Sequence, residues 1–326
     1  NSIQNRSLVF GCTLQQNSGM GMYHAARYSW KESAVSIPHF MESLSHQHYP
    51  DATLYVIGTP IGNAGDISLR ALHILEIADA VACEDTRVTK NLLGLYGLDK
   101  ELISAHQHNE REAAEKLIAR LQRGERIALV SDAGTPAISD PGAKIVDSVR
   151  NAGFNVIPVP GPSAAITALS AGGLIDESFL FIGFLPAKTA QRQTVLRKLK
   201  DSPATLVIYE APHRIRDTVR TLADIFEPSR TVVIARELTK LFEEIHRCPL
   251  SEAIPWLEEN RNRQKGEFVL LVQGAPSRED DESQARHILS VLLDELPAGT
   301  AAGLTAKITG IRKNRLYDMA LELKKN

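Results

Sequence analysis

RIALVSDAGTPAISDP, Arg126 to Pro141, reads as a strand, a loop and a helix start in direct succession. Ile127 to Val130 is a short apolar run of the kind that forms a fully buried strand. It gives way to a polar, glycine-bearing loop, SDAGTPAIS. Asp140-Pro141 then predicts a helix: Asp suits the N-cap, and Pro suits the first helical position, where the N–H has no helical partner. Such a unit is where α/β proteins bind small molecules. The pattern recurs twice. Leu54 to Ile57 runs into GTPIGN, Gly58 to Asn63, and Val156 to Val159 runs into PGPSA, Pro160 to Ala164. Three such loops are expected to meet at one edge of one sheet.

Working outward, strand and helix patterns alternate from Ala52 onward. Asp66 is expected to cap a helix with Ile67, Ala71, Ile74, Leu75 and Ala78 at helical spacing. Ala80 to Cys83 and Leu102 to Ser104 read as buried strands, ending in EDTR and AHQHNE. Asn109 and Glu112 resemble a capping box for a helix that closes at Gly124. Five strands separated by helices imply a parallel, doubly wound sheet. After Gly172-Gly173 the rhythm changes. Phe179 to Phe184, Thr205 to Tyr209, Thr231 to Arg236, Phe242 to Arg247 and Phe268 to Gln273 are predicted strands. The short link between the third and fourth permits only an antiparallel pair. The expected organisation is an extension over 1–50, an N-terminal α/β domain over 51–171, a mixed α/β domain over 174–276 and a helical, helix-turn-helix-like tail over 283–326. A charged linker, Ser277 to Ser283, is expected before that tail, with Gly310 between its two later helices.

Bulk properties narrow the function. With 326 residues, 43% hydrophobic, the chain can build two cores. A net charge of −2 excludes a polycation, so any nucleic-acid contact must come from local basic patches. Cys12, Cys83 and Cys248 lie far apart, without metal-ligand spacing, and an odd number argues against a disulfide framework; a reducing cytoplasm fits. No apolar run is long enough to span a membrane. The first forty or so residues lack sustained periodicity and a signal-peptide pattern. Met41 is a plausible start, and a natural extension is the equal alternative.

The loops lack both GxxxxGK[ST] and a GxGxxG after a strand. Their prolines and sparse glycines suit a nucleoside-sized ligand better than a pyrophosphate. Asp132 and Thr135 can bond a ribose or an amino-acid moiety, and Ser163, at a helix start, can receive a carboxylate. Ordinary turn geometry is the competing reading for any one loop. Asp85 or Thr86 in EDTR serves equally as a helix cap beside a surface ion pair. His106, His108, Asn109 and Glu110 crowd another strand end, but their spacing is loose for a metal, and none is expected. Glu210, and Arg236 with Glu237, read either as site residues or as ion pairs between domains. Lys188, Arg192, Arg197, Lys198 and Lys200, and the basic tail from Lys307, either track a phosphate backbone or form solvated faces.

LYVIGTPIGN, CEDTRVTKNLL, SAHQHNE, VSDAGTPAISDPG, PVPGPSAAITAL, FIGFLPAK, YEAPHRI, ARELTKLFEE and KGEFVLLV follow one another in this order. Together they resemble the bacterial 16S ribosomal RNA cytidine 2′-O-methyltransferases of the tetrapyrrole methylase superfamily, from about Leu54 to Gln273, with the tail also similar. The resemblance implies a two-domain class III α/β methyltransferase with a small C-terminal helical tail. It implies S-adenosylmethionine as cofactor, held between the domains, and usually a homodimer. It implies donor contacts from Pro60, Asp132, Gly134, Thr135, Ile138, Ser163, Ala164, Leu185, Ala211 and Pro212. Where relatives often carry Gly-Asp-Pro, this chain has Gly134-Thr135-Pro136, which leaves position 135 without an acidic role and Asp132 as the substitute.

The implied reaction methylates the ribose 2′-hydroxyl of a cytidine in the decoding region of 16S rRNA, as free rRNA or in the small subunit. Such a hydroxyl is a poor nucleophile, so Asp85, His108 and Glu110 are the candidates for proton removal, with Arg87 and Lys90 for holding RNA phosphate. Glu84 or Glu210 are alternatives for organising the site. Two other functions fit the motifs less well: a tetrapyrrole methyltransferase of the same superfamily, and a non-catalytic rRNA-binding assembly factor.

Overall fold

The computed structural model describes residues 44–275 and 279–323, excluding the side chains of 279–284. Residues 1–43, with Met41 and Cys12, lie outside the described residues. In the remainder of the segment read as an extension, Leu44 is buried and the Tyr49 carbonyl accepts from Arg126 Nε at 3.1 Å.

The first sheet comprises β1 (Thr53–Ile57), β2 (Ala80–Cys83), β3 (Glu101–Ser104), β4 (Arg126–Leu129) and β5 (Asn155–Val159). All its pairings are parallel, in the order β3-β2-β4-β1-β5. Helices α1 (Leu69–Ile77), α2 (Thr86–Leu95), α3 (Glu110–Leu121) and α4 (Ala143–Asn151) connect the strands. Alternate strand residues enter two separate cores. Tyr55, Val81 and Ala128 pack with Ile74 and Leu75 on one face, and Leu54, Ala82 and Ile127 with Leu117 and Ile145 on the other. Burial on both faces is why β1, β2 and β4 read as nearly unbroken apolar runs, whereas Leu102 to Ser104, expected as a buried strand, lies on the edge and is half-buried to exposed.

The second sheet holds β6 (Phe179–Phe184), β7 (Thr205–Glu210), β8 (Thr231–Arg236), β9 (Glu244–Pro249) and β10 (Phe268–Val272), in the order β6-β7-β10-β8-β9. Only β6 and β7 are parallel, joined through α6 (Thr189–Lys198); the other pairs are antiparallel. With α7 (Ile215–Ile225) and α8 (Leu250–Glu259), α6 covers one face around Leu206, Ile208 and Leu270. The other face is covered by α5 (Ala164–Gly172), the helix that follows β5. Its small residues Ala165 and Ala168 pack on Val207, Val233 and Leu271. The PGPSA loop therefore lies where the two sheets meet.

Several local expectations change. Asp140-Pro141 does not open α4. That helix starts at Ala143 behind Gly142, whose φ of 129° suits glycine, and Asp140 stays in the loop. Asp66 ends a 3₁₀ turn, and Ser68 caps α1 by accepting from Ala71 N at 3.1 Å. Asn109 precedes α3 without a capping box: its amide bridges His106 N and the Ser104 carbonyl, while Glu112 pairs with Lys116. Strand β9 begins at Glu244 and not at Phe242. Helix α8 carries Pro255 inside it and was not expected. Helix α9 (Glu279–Glu295) starts within the stretch read as a charged linker. Helices α10 (Ala298–Thr309) and α11 (Lys313–Leu323) follow, separated by the left-handed Gly310. The tail's buried side chains, Ala285, Leu289, Ala301, Ala302, Leu316, Met319 and Ala320, form a cluster of their own.

Candidate active site

Strands β4, β1 and β5 are neighbours, so the loops at their carboxyl ends converge. Thr59 and Gly134 exchange both backbone hydrogen bonds, Thr59 N to Gly134 O at 2.8 Å and Gly134 N to Thr59 O at 3.0 Å. Thr59 Oγ1 donates to the Ser131 carbonyl at 3.1 Å, and Thr135 Oγ1 to the Pro162 carbonyl, also at 3.1 Å. GTPIGN, SDAGTP and PGPSA thus form one bonded unit at the point where the strand order switches direction about β1, the usual ligand position in open α/β sheets.

Beside that unit is a cavity of about 440 Å³, a size that accommodates a small cofactor. One wall is the first sheet's loops: Ile61, Glu84, Asp132 to Asp140 in part, Ser163 and Ala164. The other comes from the second sheet: Phe184, Tyr209 to Pro212, Leu238, Lys240, and Glu267 to Val269. The register of β7 and β10 sets this second wall, because Glu210 stands opposite Phe268 and Tyr209 opposite Val269. The Tyr209 hydroxyl accepts from Ala165 N at 3.1 Å, fixing the ring against the start of α5. Phe184 meets that ring nearly edge-on at 5.8 Å.

Glu84, Asp132 and Asp140 give the first wall an acidic face. Burial, then the neighbouring Asp132 and Asp140 carboxylates, push the Glu84 carboxyl above its ordinary range. Burial does the same to Asp140, aided by Asp132 and opposed by a hydrogen bond to Ser131. Asp132 Oδ1 also accepts from Asp85 N at 3.0 Å, tying the end of β4 to the end of β2. Opposite, Lys240 lines the cavity but is already paired with Glu237 at 2.9 Å and Glu267 at 2.7 Å. A cation, or a ligand with a cationic centre, fits this charge distribution.

Of the residues singled out from sequence, Asp132, Gly134, Thr135, Ile138, Ser163, Ala164, Ala211 and Pro212 line the cavity together. Pro60 and Leu185 do not; both are buried, and Leu185 presents its carbonyl to Arg214. None of the three proton-removal candidates reaches the cavity wall. Asp85 caps α2 and grips Arg87 at 2.7 Å, an embrace that draws its carboxyl down to about 2. His108 is exposed, and its backbone N–H donates to His106 Nδ1. Glu110 is buried, bonded to Gly142 N and Lys144. Arg87 and Lys90 are exposed on α2, away from the cavity lining.

Glu210 lines the cavity, but its ion pair is local, with Arg214 at 3.2 Å, and it also accepts from Thr218 Oγ1 at 2.6 Å. Arg236 pairs with Glu244 of the adjacent strand. Neither ion pair joins one sheet to the other. Asp140, Ser139, Phe184, Tyr209, Lys240 and Glu267 are cavity residues that sequence reasoning did not place there. Among the described residues no cluster of three metal-ligating side chains occurs, and no helix is long and apolar enough to cross a membrane.

Residues 53–254 match the family model of the tetrapyrrole (corrin/porphyrin) methylases, and residues 279–324 match a model described as the RsmI C-terminal HTH domain. The chain is 49% identical over 270 residues to the ribosomal RNA small subunit methyltransferase I of Escherichia coli O157:H7, covering 82% of this chain and 94% of that one. The enzyme of the same name from Pseudomonas aeruginosa is 48% identical over 273 residues, covering 83% and 97%. Among solved structures, the uroporphyrin-III-C-methyltransferase of Thermus thermophilus superposes with a TM-score of 0.50 at 23% identity, covering 68% of this chain and 94% of that one. The methyltransferase CobJ gives 0.52 at 18% identity, covering 70% and 95%. At these identities the superpositions speak to the fold alone.

Proposed function

The chain belongs to the tetrapyrrole (corrin/porphyrin) methylase family and, within it, to the ribosomal RNA small subunit methyltransferase I group, and from that membership we propose its reaction. The enzyme transfers a methyl group from S-adenosylmethionine to the ribose 2′-hydroxyl of a cytidine in the decoding region of 16S rRNA. The observation that carries the choice of donor is the cavity itself. It has nucleoside-scale volume, an acidic wall of Glu84, Asp132 and Asp140, and aromatic and apolar groups opposite. The donor is a sulfonium cation with an ammonium group, and this set of side chains fits it.

When bound, the donor supplies a methyl group that is already electrophilic, with a neutral thioether as leaving group. The protein's task is to align donor and hydroxyl and to exclude water. Asp132, held by Asp85 N, and Thr135, held by the Pro162 carbonyl, are fixed points for hydroxyl or ammonium groups. Ser163 precedes α5 without capping it through its side chain; its hydroxyl is hydrogen-bonded to Tyr209, at the positive end of that helix, where a ligand carboxylate is favoured. For the 2′-hydroxyl proton this reading adds Glu84 and Asp140, carboxyls of the cavity wall raised by burial, to the candidates Asp85, His108 and Glu110, which lie off that wall.

In this reading the enzyme acts in the cytoplasm as a homodimer. The free, buried Cys83 and Cys248 are in keeping with a reducing compartment. Exposed Phe179 and Leu180 on the edge strand β6 offer apolar surface to a second copy. The mass in solution tests the dimer. Incubation of labelled donor with undermethylated small ribosomal subunits tests the reaction: label is expected at a cytidine 2′-oxygen, and transfer to a porphyrin precursor with none to rRNA would overturn the assignment.

A further inference from the structure

The segment from Ala137 to Gly142 carries Ile138, Ser139 and Asp140 to the cavity wall. It does so in a conformation that L-residues rarely adopt: φ is 68° at Ala137, 66° at Ser139 and 129° at Gly142. Its own hydrogen bonds are long, Ala137 N to Pro141 O at 3.3 Å and Ile138 N to Thr135 O at 3.4 Å. A backbone held this way needs ties from outside itself.

Glu110, the first residue of α3, provides one. Its Oε1 accepts from Gly142 N at 2.8 Å, and its Oε2 meets Lys144 Nζ at 3.0 Å. The side chain is only 7% exposed. Gly142 is the N-cap of α4 and has no side chain with which to cap it, so the carboxylate of another helix satisfies the N–H at that terminus. A Cβ on Gly142 would make only ordinary contacts, 3.4 Å from Leu129 Cδ2 and 3.6 Å from Ala137 N, so its φ of 129°, and not lack of space, is what favours glycine there. The loop is thus tied at Gly142 to Glu110, and at Ser139 it lies close to Gly183 of β6, where a Cβ would stand 2.8 Å from Ser139 Oγ.

We infer that Glu110 is a positioning residue for the methyl donor, acting through the 137–142 loop to hold Asp140 and its neighbours at the cavity wall. This rests on the reading that the cavity binds the donor. Burial alone would raise the Glu110 carboxyl, but the Gly142 N–H and the Lys144 ammonium hold it below its ordinary range. It is therefore ionised at neutral pH, an acceptor anchored to the loop and not a titrating base.

The test compares full-length wild type, E110A and E110Q. Binding of S-adenosylhomocysteine is measured by calorimetry, and methyl transfer to undermethylated small subunits is measured against donor concentration. E110A is expected to weaken binding and raise the donor KM at least tenfold, with kcat at saturating donor within about threefold of wild type. E110Q keeps an oxygen able to accept from Gly142 and is expected to recover most of that affinity. If E110A does not fold, E110D, one methylene short of the loop, is read for the same split. Unchanged affinity in E110A overturns the inference. So does a hundredfold fall of kcat in E110Q with donor binding intact, which would mark Glu110 as the proton acceptor. A wild type that binds neither donor nor product overturns the cavity reading, and this inference with it.

Discussion

Gly58 and Gly161 stand back to back across the junction of the β1 and β5 loops. A Cβ on Gly161 would lie 2.6 Å from Gly58 O, and one on Gly58 would lie 2.9 Å from Gly161 Cα. Both obstacles are backbone, so neither can swing aside. Gly161→Ala is expected to part the two loops, lowering stability by about 1–3 kcal/mol, as overpacking does. It should also weaken donor binding at least tenfold, because Ser163 and Ala164 move with the loop. Thermal unfolding and calorimetry on the same preparation check both; a fully stable variant with normal affinity would show that the loops have slack.

Gly134 presents a different obstacle. The nearest atom to a Cβ there is Ile61 Cγ2, at an ordinary 3.5 Å, but its φ is +80° while it pairs with Thr59. Conformation, more than space, is what demands glycine. Gly134→Ala should cost on the order of 1–2 kcal/mol and reduce donor affinity moderately. Gly134→Val, β-branched at positive φ, should abolish donor binding. Equal affinity in both variants and wild type would separate this loop from the donor site.

The acidic wall makes a pH prediction. Burial first, and then the neighbouring Asp132 carboxylate, raise the carboxyls of Glu84 and Asp140. Carboxyls raised on folding bind more protons in the folded than in the unfolded state, so their contribution to stability falls as pH rises from the unfolded pKa through the folded one. A cationic ligand offsets that cost. Glu84→Gln and Asp140→Asn are therefore expected to raise the melting temperature of the ligand-free protein at neutral pH. The same variants should lower the preference for the sulfonium donor over its neutral thioether product. Paired calorimetric titrations check this; an unchanged donor-to-product ratio would mean the wall does not sense the sulfonium charge.

Asp85 and Arg87 lie outside the cavity, and Arg87 is 88% exposed. Arg87→Ala is expected to free Asp85, whose carboxyl should climb from about 2 toward its ordinary value in a carbon-13 NMR titration. Donor affinity should stay within twofold while the KM for small subunits rises. Parallel loss of donor binding would place Arg87 in the wrong half of the site.

The first sheet was legible because burial on both faces writes itself as apolar runs such as Ile127 to Val130, and its loops follow at strand ends. Its caps were less so. Asp140-Pro141 carries local helix-start chemistry, yet the acceptor at that helix is Glu110, more than thirty residues earlier in the chain. Helix α8 was hidden by Pro255, which reads as a breaker, although its apolar side packs Leu250, Ala253 and Leu257 into the core. The second wall of the cavity was the least legible part. Tyr209, Lys240 and Glu267 are distant in sequence and meet only through the β7-β10-β8 register, which no local pattern announces.

The tail is the part whose removal separates donor from acceptor. Its buried residues pack on one another, so deleting residues 279–326 opens neither sheet's core. Exposed Lys307, Arg312 and Lys313 gather around Gly310 and the start of α11, where a helix-turn-helix can meet phosphates. The truncated enzyme is expected to bind S-adenosylhomocysteine as wild type does and to methylate small subunits at least tenfold more slowly at subsaturating RNA. Arg312→Ala with Lys313→Ala should weaken subunit binding in the full chain and flatten its salt dependence by up to about two ion equivalents. Binding of subunits across a salt series measures the slope. A truncated enzyme of undiminished rate would leave the tail as packing alone, and an unchanged slope in the double variant would move the phosphate contacts elsewhere on the protein.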